Sequence, residues 1–581
     1  MAKRPTSRKL NRRDFLKNTA LVTGGLALLP AALASCTNDN DETPTVTYTG
    51  EFGFREGVAS FDPSASNIVL WTRYTPADNE PADPSIGWEL AANATFQPVL
   101  KSGSAPATAS ADYCLGVDVS GLASNQKYYY RFRNERTGAA SVVGETRTLP
   151  AAGQASSVRL AVVSCANFQA GLFNVYGAVA ESGADVVVHL GDYIYEYGAG
   201  GYGTNPATAG LGRAHLPATE ILSLADYRTR YRQYRSDKQL QKAHQLKPFV
   251  CVWDDHELAN DAYNGGAENH QPNEGAFEER RRVAIQAWHE YLPARVPDKT
   301  KIYRSFDFGG LVNLVMLDTR LVGRERQLNL ADYFSSTGVF NATAFGAAWL
   351  NPARTLLGAE QRAWLTGQLS GSAARWQVLG SQVLMGKIYI PVELLAVVAR
   401  LAGGTPTPEL LAQYAAVSAQ LVAIKQRILR NDPTVTAAER ARVETVLPYN
   451  LDAWDGYPVE RETVYAAASG KKLVSLAGDT HNAWHSDLRT NSGRRAGVEF
   501  ATPSVSSPGF EALFGSSAQA IQGFEQSNQV LINDLKYLDA SRRGFLEVEF
   551  TTANATARWQ YVGSLTTENT ATTTGRTAME A

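Results

Sequence analysis

Asp185-Val186-Val187-Val188-His189-Leu190 runs without a break into Gly191-Asp192-Tyr193-Ile194-Tyr195, an apolar run of strand length that ends on a polar tip. Its apolar residues are consecutive rather than alternate, as in a strand buried on both faces, and open α/β sheets carry their chemistry at the carboxyl ends of such strands. Five more runs share the design. Residues 159–163 end in Ser164-Cys165, and 249–253 end in Asp254-Asp255-His256-Glu257. Residues 312–317 end in Asp318-Thr319-Arg320, 376–380 in Ser381-Gln382, and 473–477 in Gly478-Asp479-Thr480-His481. The tips are expected to converge in one pocket.

Outward from these runs the pattern alternates strand, helix, strand, with helices expected at 173–181, 277–291 and 359–369. Residues 388–446 are Ala- and Leu-rich with helical spacing, notably 408–430. They read as a helical insertion beside the pocket or as a cover for a sheet face. Upstream, 45–150 consists of short runs such as 68–72 and 128–132 between Gly, Pro, Ser and Asn, which predicts a small all-β unit, a β-sandwich of the immunoglobulin or fibronectin type. Residues 148–154 read as the linker, and the Thr- and Ala-rich 564–581 as a flexible tail.

Near the start of the chain, Asn11-Arg12-Arg13-Asp14-Phe15-Leu16-Lys17 precedes a weakly apolar run at 19–33, a pattern that resembles a twin-arginine export signal over 1–35. Leu33-Ala34-Ser35-Cys36 looks like a lipobox, which would make Cys36 the acylated mature N-terminus; the alternative is an ordinary cleaved signal with an incidental cysteine. Residues 36–44 then form a polar tether. The expected location is the periplasm or cell envelope, with the protein held to a membrane through lipidated Cys36. No later stretch is apolar and long enough to span a bilayer.

With 55 basic against 57 acidic side chains there is no electrostatic case for nucleic-acid binding, so partners are sought among small molecules, and a monomer is expected. The other cysteines, Cys114, Cys165 and Cys251, form neither a CxxC spacing nor a disulfide framework. Cys114 and Cys251 read as buried thiols, whereas Cys165 ends a strand. Of eight histidines only His256 and His481 fall in the tips, too little imidazole for an ordinary dinuclear zinc site. Carboxylates, carbonyls and amides suit harder cations. Asp192 is placed to bridge two metals, and Tyr195 to reach one of them as a phenolate. A phenolate with the Cys165 thiolate favours ferric iron over zinc; the alternative for Tyr195 is a core aromatic.

These residues match a known family: the chain resembles the PhoD-like alkaline phosphatases, which belong to the calcineurin-like metallophosphoesterases. Its most specific pieces are Ser164-Cys165-Ala166-Asn167, Gly191-Asp192-Tyr193-Ile194-Tyr195, Trp253-Asp254-Asp255-His256-Glu257, Asp452-Ala453-Trp454-Asp455-Gly456-Tyr457 and Gly478-Asp479-Thr480-His481. The resemblance extends from Gly57-Val58-Ala59-Ser60 and Val69-Leu70-Trp71-Thr72-Arg73 to Gly544-Phe545-Leu546-Glu547-Val548, nearly the whole mature chain. Phe61 departs from it, standing where the family usually has glycine.

The resemblance implies an α/β fold, an α+β four-layer metallophosphoesterase sandwich over 155–563, behind an N-terminal β-sandwich. It implies one ferric ion (Fe3+) with calcium ions (Ca2+). Carried onto this sequence, Cys165, Asp192, Tyr195 and His481 are the iron ligands, and Asp192, Asp255 and Asp479 contribute to calcium. Asn167 and Asn260 are further candidates for calcium or for supporting its ligands. The expected function is an exported metal-dependent phosphoesterase for mono- or diesters, in which a metal-bound hydroxide or oxide attacks directly without a phosphoenzyme. His256 is expected to stabilise a phosphoryl oxygen or protonate the leaving alkoxide, with a metal ligand as the alternative. Arg320 is expected to bind a non-bridging oxygen, with an ion pair to a nearby carboxylate as the alternative. Residues 452–457 and Arg461 are candidates for gating the pocket. Alternative functions are a phospholipase D-like or nucleotide phosphodiesterase activity, and a non-catalytic surface-binding lipoprotein.

Overall fold

The six apolar runs form strands that divide three and three between two sheets. The computed structural model describes residues 52–335, 340–402, 407–515 and 517–581; the export signal, Cys36 and the tether lie outside them. Sheet I runs, edge to edge, through Thr572–Glu580, Ala555–Val562, Gly544–Thr551, Ser157–Val163, Val186–His189, Pro248–Cys251, Val58–Phe61, Ile68–Arg73 and Cys114–Val119. Its centre is parallel, with Val163 and Cys251 both in register with His189. Sheet II runs through Arg304–Phe308, Val312–Met316, Trp376–Gly380, Lys472–Ala477, Arg495–Ala501, Ala483–Arg489 and Leu535–Asp539. Its centre is parallel as well.

The sheets meet face to face. Trp376 of sheet II lies 5.9 Å from Phe550 of sheet I, and Trp559 Nε1 of sheet I donates to the Ala501 carbonyl of sheet II at 2.8 Å. Val312, Leu314 and Met316 join the core shared with sheet I, while Val315 and Leu317 join a second core made with the helices on the far side. A strand used on both faces explains the unbroken apolar runs, because each buried aliphatic side chain contributes roughly 1.5–3 kcal/mol whichever way it points. Helices such as Leu224–Arg235 and Phe277–Tyr291 back sheet I, and Gly358–Gly371 and Ala518–Leu531 back sheet II, which completes four layers.

The N-terminal unit is a sandwich whose core holds Ile68, Leu70, Leu90, Tyr130 and Phe132, and it is joined to the rest of the chain through a shared sheet. One of its sheets is the end of sheet I, joined where Ser60 and Phe61 pair in parallel with Pro248 and Phe249. An open edge beside Pro248–Cys251 would leave backbone groups unpaired, and Val58–Phe61 covers it. One expectation is corrected: the tail read as flexible contains the strand Thr572–Glu580, antiparallel to Ala555–Val562 at the opposite edge. Thr-rich composition suggested looseness, yet threonine is β-branched and favours a strand when an edge is offered.

The insertion consists of the helices Val392–Ala402, Pro408–Leu429 and Ala437–Glu444, pinned at its neck by pairing of Tyr389–Pro391 with Val446–Pro448. Tyr414 seats it against Phe514 and Phe524, so it also covers the helical side of sheet II.

Candidate active site

Four of the tip residues sit in the left-handed backbone region: Cys165 at φ 61°, Asp192 at 56°, Asp479 at 65° and His481 at 64°. Such conformations are uncommon outside glycine and concentrate where a site over-determines its geometry. Gly191, at φ 100°, allows two tips to close on each other, since a Cβ there would lie 2.5 Å from the Asp254 backbone nitrogen. The loops are then tied together, with Ala166 N donating to the Asp192 carbonyl at 2.8 Å and Glu257 accepting from the Asp192 and Asp254 backbone N–H groups at 2.9 and 2.8 Å.

These turns gather three buried clusters, Cys165/Asp192/His481, Asp192/Asp255/His256 and Asp254/Asp255/Asp479, each with its ligand atoms within 4.8 Å of one another. Asp192 belongs to two of them, as a bridging carboxylate would. Tyr195 joins the first: its hydroxyl donates to Asp192 Oδ2 at 2.9 Å, lies 3.2 Å from His481 Nε2 and accepts from Ser507 at 2.7 Å. Burial pushes both the Tyr195 phenol and the Cys165 thiol well above their usual pKa, and the Asp192 carboxylate adds to both shifts.

The donors fit a hard, multiply charged cation. Asp192 Oδ1, Asp255 Oδ1 and Asp254 Oδ2 are buried and accept no hydrogen bond, an arrangement that costs free energy until a cation or donor meets them. Cys165, Tyr195 and His481 would hold one ion with Asp192, and Asp192 and Asp255 a second. His481 Nδ1 lies 2.7 Å from the Pro508 carbonyl, which can only accept, so Nδ1 carries the proton and the Nε2 lone pair faces the cluster.

His256 Nδ1 lies 2.7 Å from Glu196 Oε2, leaving Nε2 on the pocket side, 4.0 Å from Asp192 Oδ2. Burial opposes a charge on this ring, but the Asp192, Asp255 and Glu196 carboxylates outweigh it and raise the pKa to about 10. Glu196 is fully buried and also accepts from Asn260 N at 3.1 Å and Asn269 Nδ2 at 2.9 Å. Sequence reasoning missed it, although a carboxylate enclosed by Tyr195 and Tyr197 directly after a tip was a usable signal. It missed Asn482 as well, a fully buried amide that lines the pocket with neither polar atom hydrogen-bonded.

Arg320 does not line the pocket. It is fully buried, its Nε on Asp254, Nη1 on Asp452 at 2.9 Å and Nη2 on Asp479 at 3.1 Å, with Asp255 at 3.6 Å. The fork expected for substrate is spent on carboxylates, the ion-pair alternative. Arg320 thereby offsets part of the charge of the Asp254/Asp255/Asp479 cluster, of which Asp255 and Asp479 also line the pocket. Asn167, expected near calcium, is also committed elsewhere: its oxygen accepts from Gln169 N at 3.1 Å, and its amide donates to the Tyr202 carbonyl at 3.1 Å. Asn260 does face the pocket, with its amide on Glu268 at 3.2 Å. Asp455 and Arg461, expected at a gate, form a buried ion pair at 2.6 Å beneath the insertion neck. Cys114 and Cys251 are free thiols, Cys251 buried and Cys114 partly so.

The clusters open into a pocket of about 50 Å³ lined by Asp192, Asp255, His256, His481, Asn482 and Phe510 among others. Among known proteins, the description PhoD-like phosphatase matches residues 160–559, and its N-terminal domain matches residues 40–150. The chain is 32% identical over 518 residues to alkaline phosphatase D of Bacillus subtilis (strain 168), covering 86% of this chain and 76% of that protein. The solved structure of PhoD matches with a TM-score of 0.70 at 29% identity, over 92% of this chain and 91% of that one. A chain so matched along its length, whose strand tips bring thiol, phenol, imidazole and a shared carboxylate together, belongs to the PhoD-like phosphatase family.

Proposed function

We propose that this phosphoric ester hydrolase cleaves phosphate mono- and diesters at a centre holding ferric iron and calcium, with Cys165, Asp192, Tyr195 and His481 around iron and Asp192 and Asp255 toward calcium. The observation that carries the reading is the pair of buried clusters sharing Asp192, with bare carboxylate oxygens turned inward. Bound cations would neutralise the phosphoryl oxygens and make water nucleophilic near neutral pH. The protein's own part is positional. His256, held through Nδ1 by Glu196, presents Nε2 to the pocket, where its proton can pass to the leaving alkoxide. Asn482 offers an amide to a phosphoryl oxygen, and Pro508 keeps the His481 ring in the tautomer a ligand needs.

The test is metal analysis of protein purified without chelator, with its visible absorption and its hydrolysis of an aryl phosphate monoester and diester. Iron with calcium, turnover, and an absorption band lost in Tyr195→Phe are expected. Active protein holding zinc or manganese and no iron would overturn the roles given to Cys165 and Tyr195. Protein that stays inactive after metal loading would overturn the phosphoesterase assignment itself. The twin-arginine signal and lipobox support export and anchoring at the cell envelope, and Cys36→Ala should move the enzyme from membrane to soluble fractions.

A further inference from the structure

The helix Val392–Ala402 is apolar on two faces. Leu394, Val397, Val398 and Leu401 face the core between the insertion and sheet II. Val392, Leu395, Ala396 and Ala399, spaced i, i+3, i+4 and i+7, form a second stripe that is part-buried or exposed. That stripe borders a cavity of about 770 Å³, with Leu447 of the insertion neck beside it. The cavity adjoins the catalytic pocket: Tyr449 lines both, and Asn260 of the pocket is followed directly by Asp261 of the cavity. Asp261 N itself donates to Asp255 Oδ2 at 2.6 Å.

The two volumes differ in what they can hold. The floor of the catalytic pocket has room for only a few water-sized groups, on the scale of a phosphoryl group, so the alcohols esterified to it project through its mouth. A substituent that leaves the pocket on the Tyr449 side enters the adjoining space, where Asp261, Glu268 and Asp452 lie on one side and the aliphatic stripe of the insertion forms the opposite wall. We infer that this cavity is the subsite for an aliphatic arm, so that the preferred substrates are phosphodiesters in which one alcohol is a long alkyl chain. The inference rests on the phosphoesterase reading and adds the substrate class to it. The insertion thereby acts as a specificity element as well as a cover for sheet II.

The test uses the full-length, metal-loaded enzyme and two p-nitrophenyl phosphodiesters whose second alcohol is methanol or octanol. Hydrolysis takes up one water and releases p-nitrophenol and the alkyl phosphate, so both reactions have one readout. The octyl ester should have a kcat/KM higher by about tenfold or more, chiefly through a lower KM. Ala396→Trp, and independently Ala399→Trp, fill the cavity from exposed positions and should bring the octyl-to-methyl ratio close to one. Equal kcat/KM for the two esters in the wild type, or a ratio that survives both substitutions, overturns the proposal while leaving methyl-ester hydrolysis as support for the phosphoesterase reading. Failure to turn over either ester overturns the proposal, and the phosphoesterase reading falls with it only where an aryl phosphate monoester is left intact too. A wild type that is a dimer, dissociates on Ala396→Trp and shows no chain-length preference would assign the stripe to a second copy of the chain instead.

Discussion

His256 and Glu196 illustrate how much of the chemistry rests on single contacts. The ring is turned by one bond of 2.7 Å to a carboxylate sixty positions earlier. His256→Ala should lower turnover by about 10²–10⁴-fold with iron and calcium content retained, measured by metal analysis beside steady-state kinetics. Loss of metal in that variant would make His256 a ligand. Glu196→Gln should lower activity by roughly 10–100-fold, the range found for groups that orient a ligand or catalytic ring. At Gly191 the expected effect is structural: Gly191→Ala forces a Cβ to within 2.5 Å of the Asp254 nitrogen at φ 100°, so metal occupancy and melting temperature should both fall. Most tip residues were legible in the sequence because each directly follows its own strand. Glu196 and the true partners of Arg320 were not, because what defines them is a contact with a distant loop.

At the level of elements, the edges of sheet I matter most. The strand Thr572–Glu580 closes one edge, and removing residues 572–580 should expose Ala555–Val562, lower the melting temperature and promote aggregation, read by thermal melting with light scattering. A melt identical to the full chain would show the strand to be dispensable. The helices Asn174–Glu181, Phe277–Tyr291 and Pro408–Leu429 fall within a residue of their expected bounds, because a helix face repeats its apolar signal over several turns. The edge strand escaped notice because it is mostly exposed and has no apolar alternation to read. Its existence depends on the neighbour it pairs with.

For the whole molecule, burial of titratable groups ties stability to pH. His289 and His485 are buried, and burial holds their pKa down at about 4 against the usual 6.5. Above pH 6.5 both are neutral whether folded or unfolded. As pH falls from about 6.5 to about 4, the unfolded chain takes up protons that the fold refuses, so stability is lost across that window. The loss is about 3 kcal/mol per histidine. Denaturant midpoints should decline over this range, and His289→Asn should flatten the decline; an unaltered slope would remove His289 from the account. The apolar runs and their tips were settled by the sequence, since a strand buried on both faces and the turn that follows it are written in adjacent residues. That three runs serve one sheet and three the other could be expected only from family resemblance, because either sheet would bury them equally well. The edge-to-edge union of the N-terminal sandwich with sheet I, the occupation of Arg320 by carboxylates and the apolar cavity beside the catalytic pocket were decided by tertiary structure alone. Each depends on which distant surfaces meet, and the free energy of such a meeting belongs to the pair of surfaces and is encoded in neither segment separately.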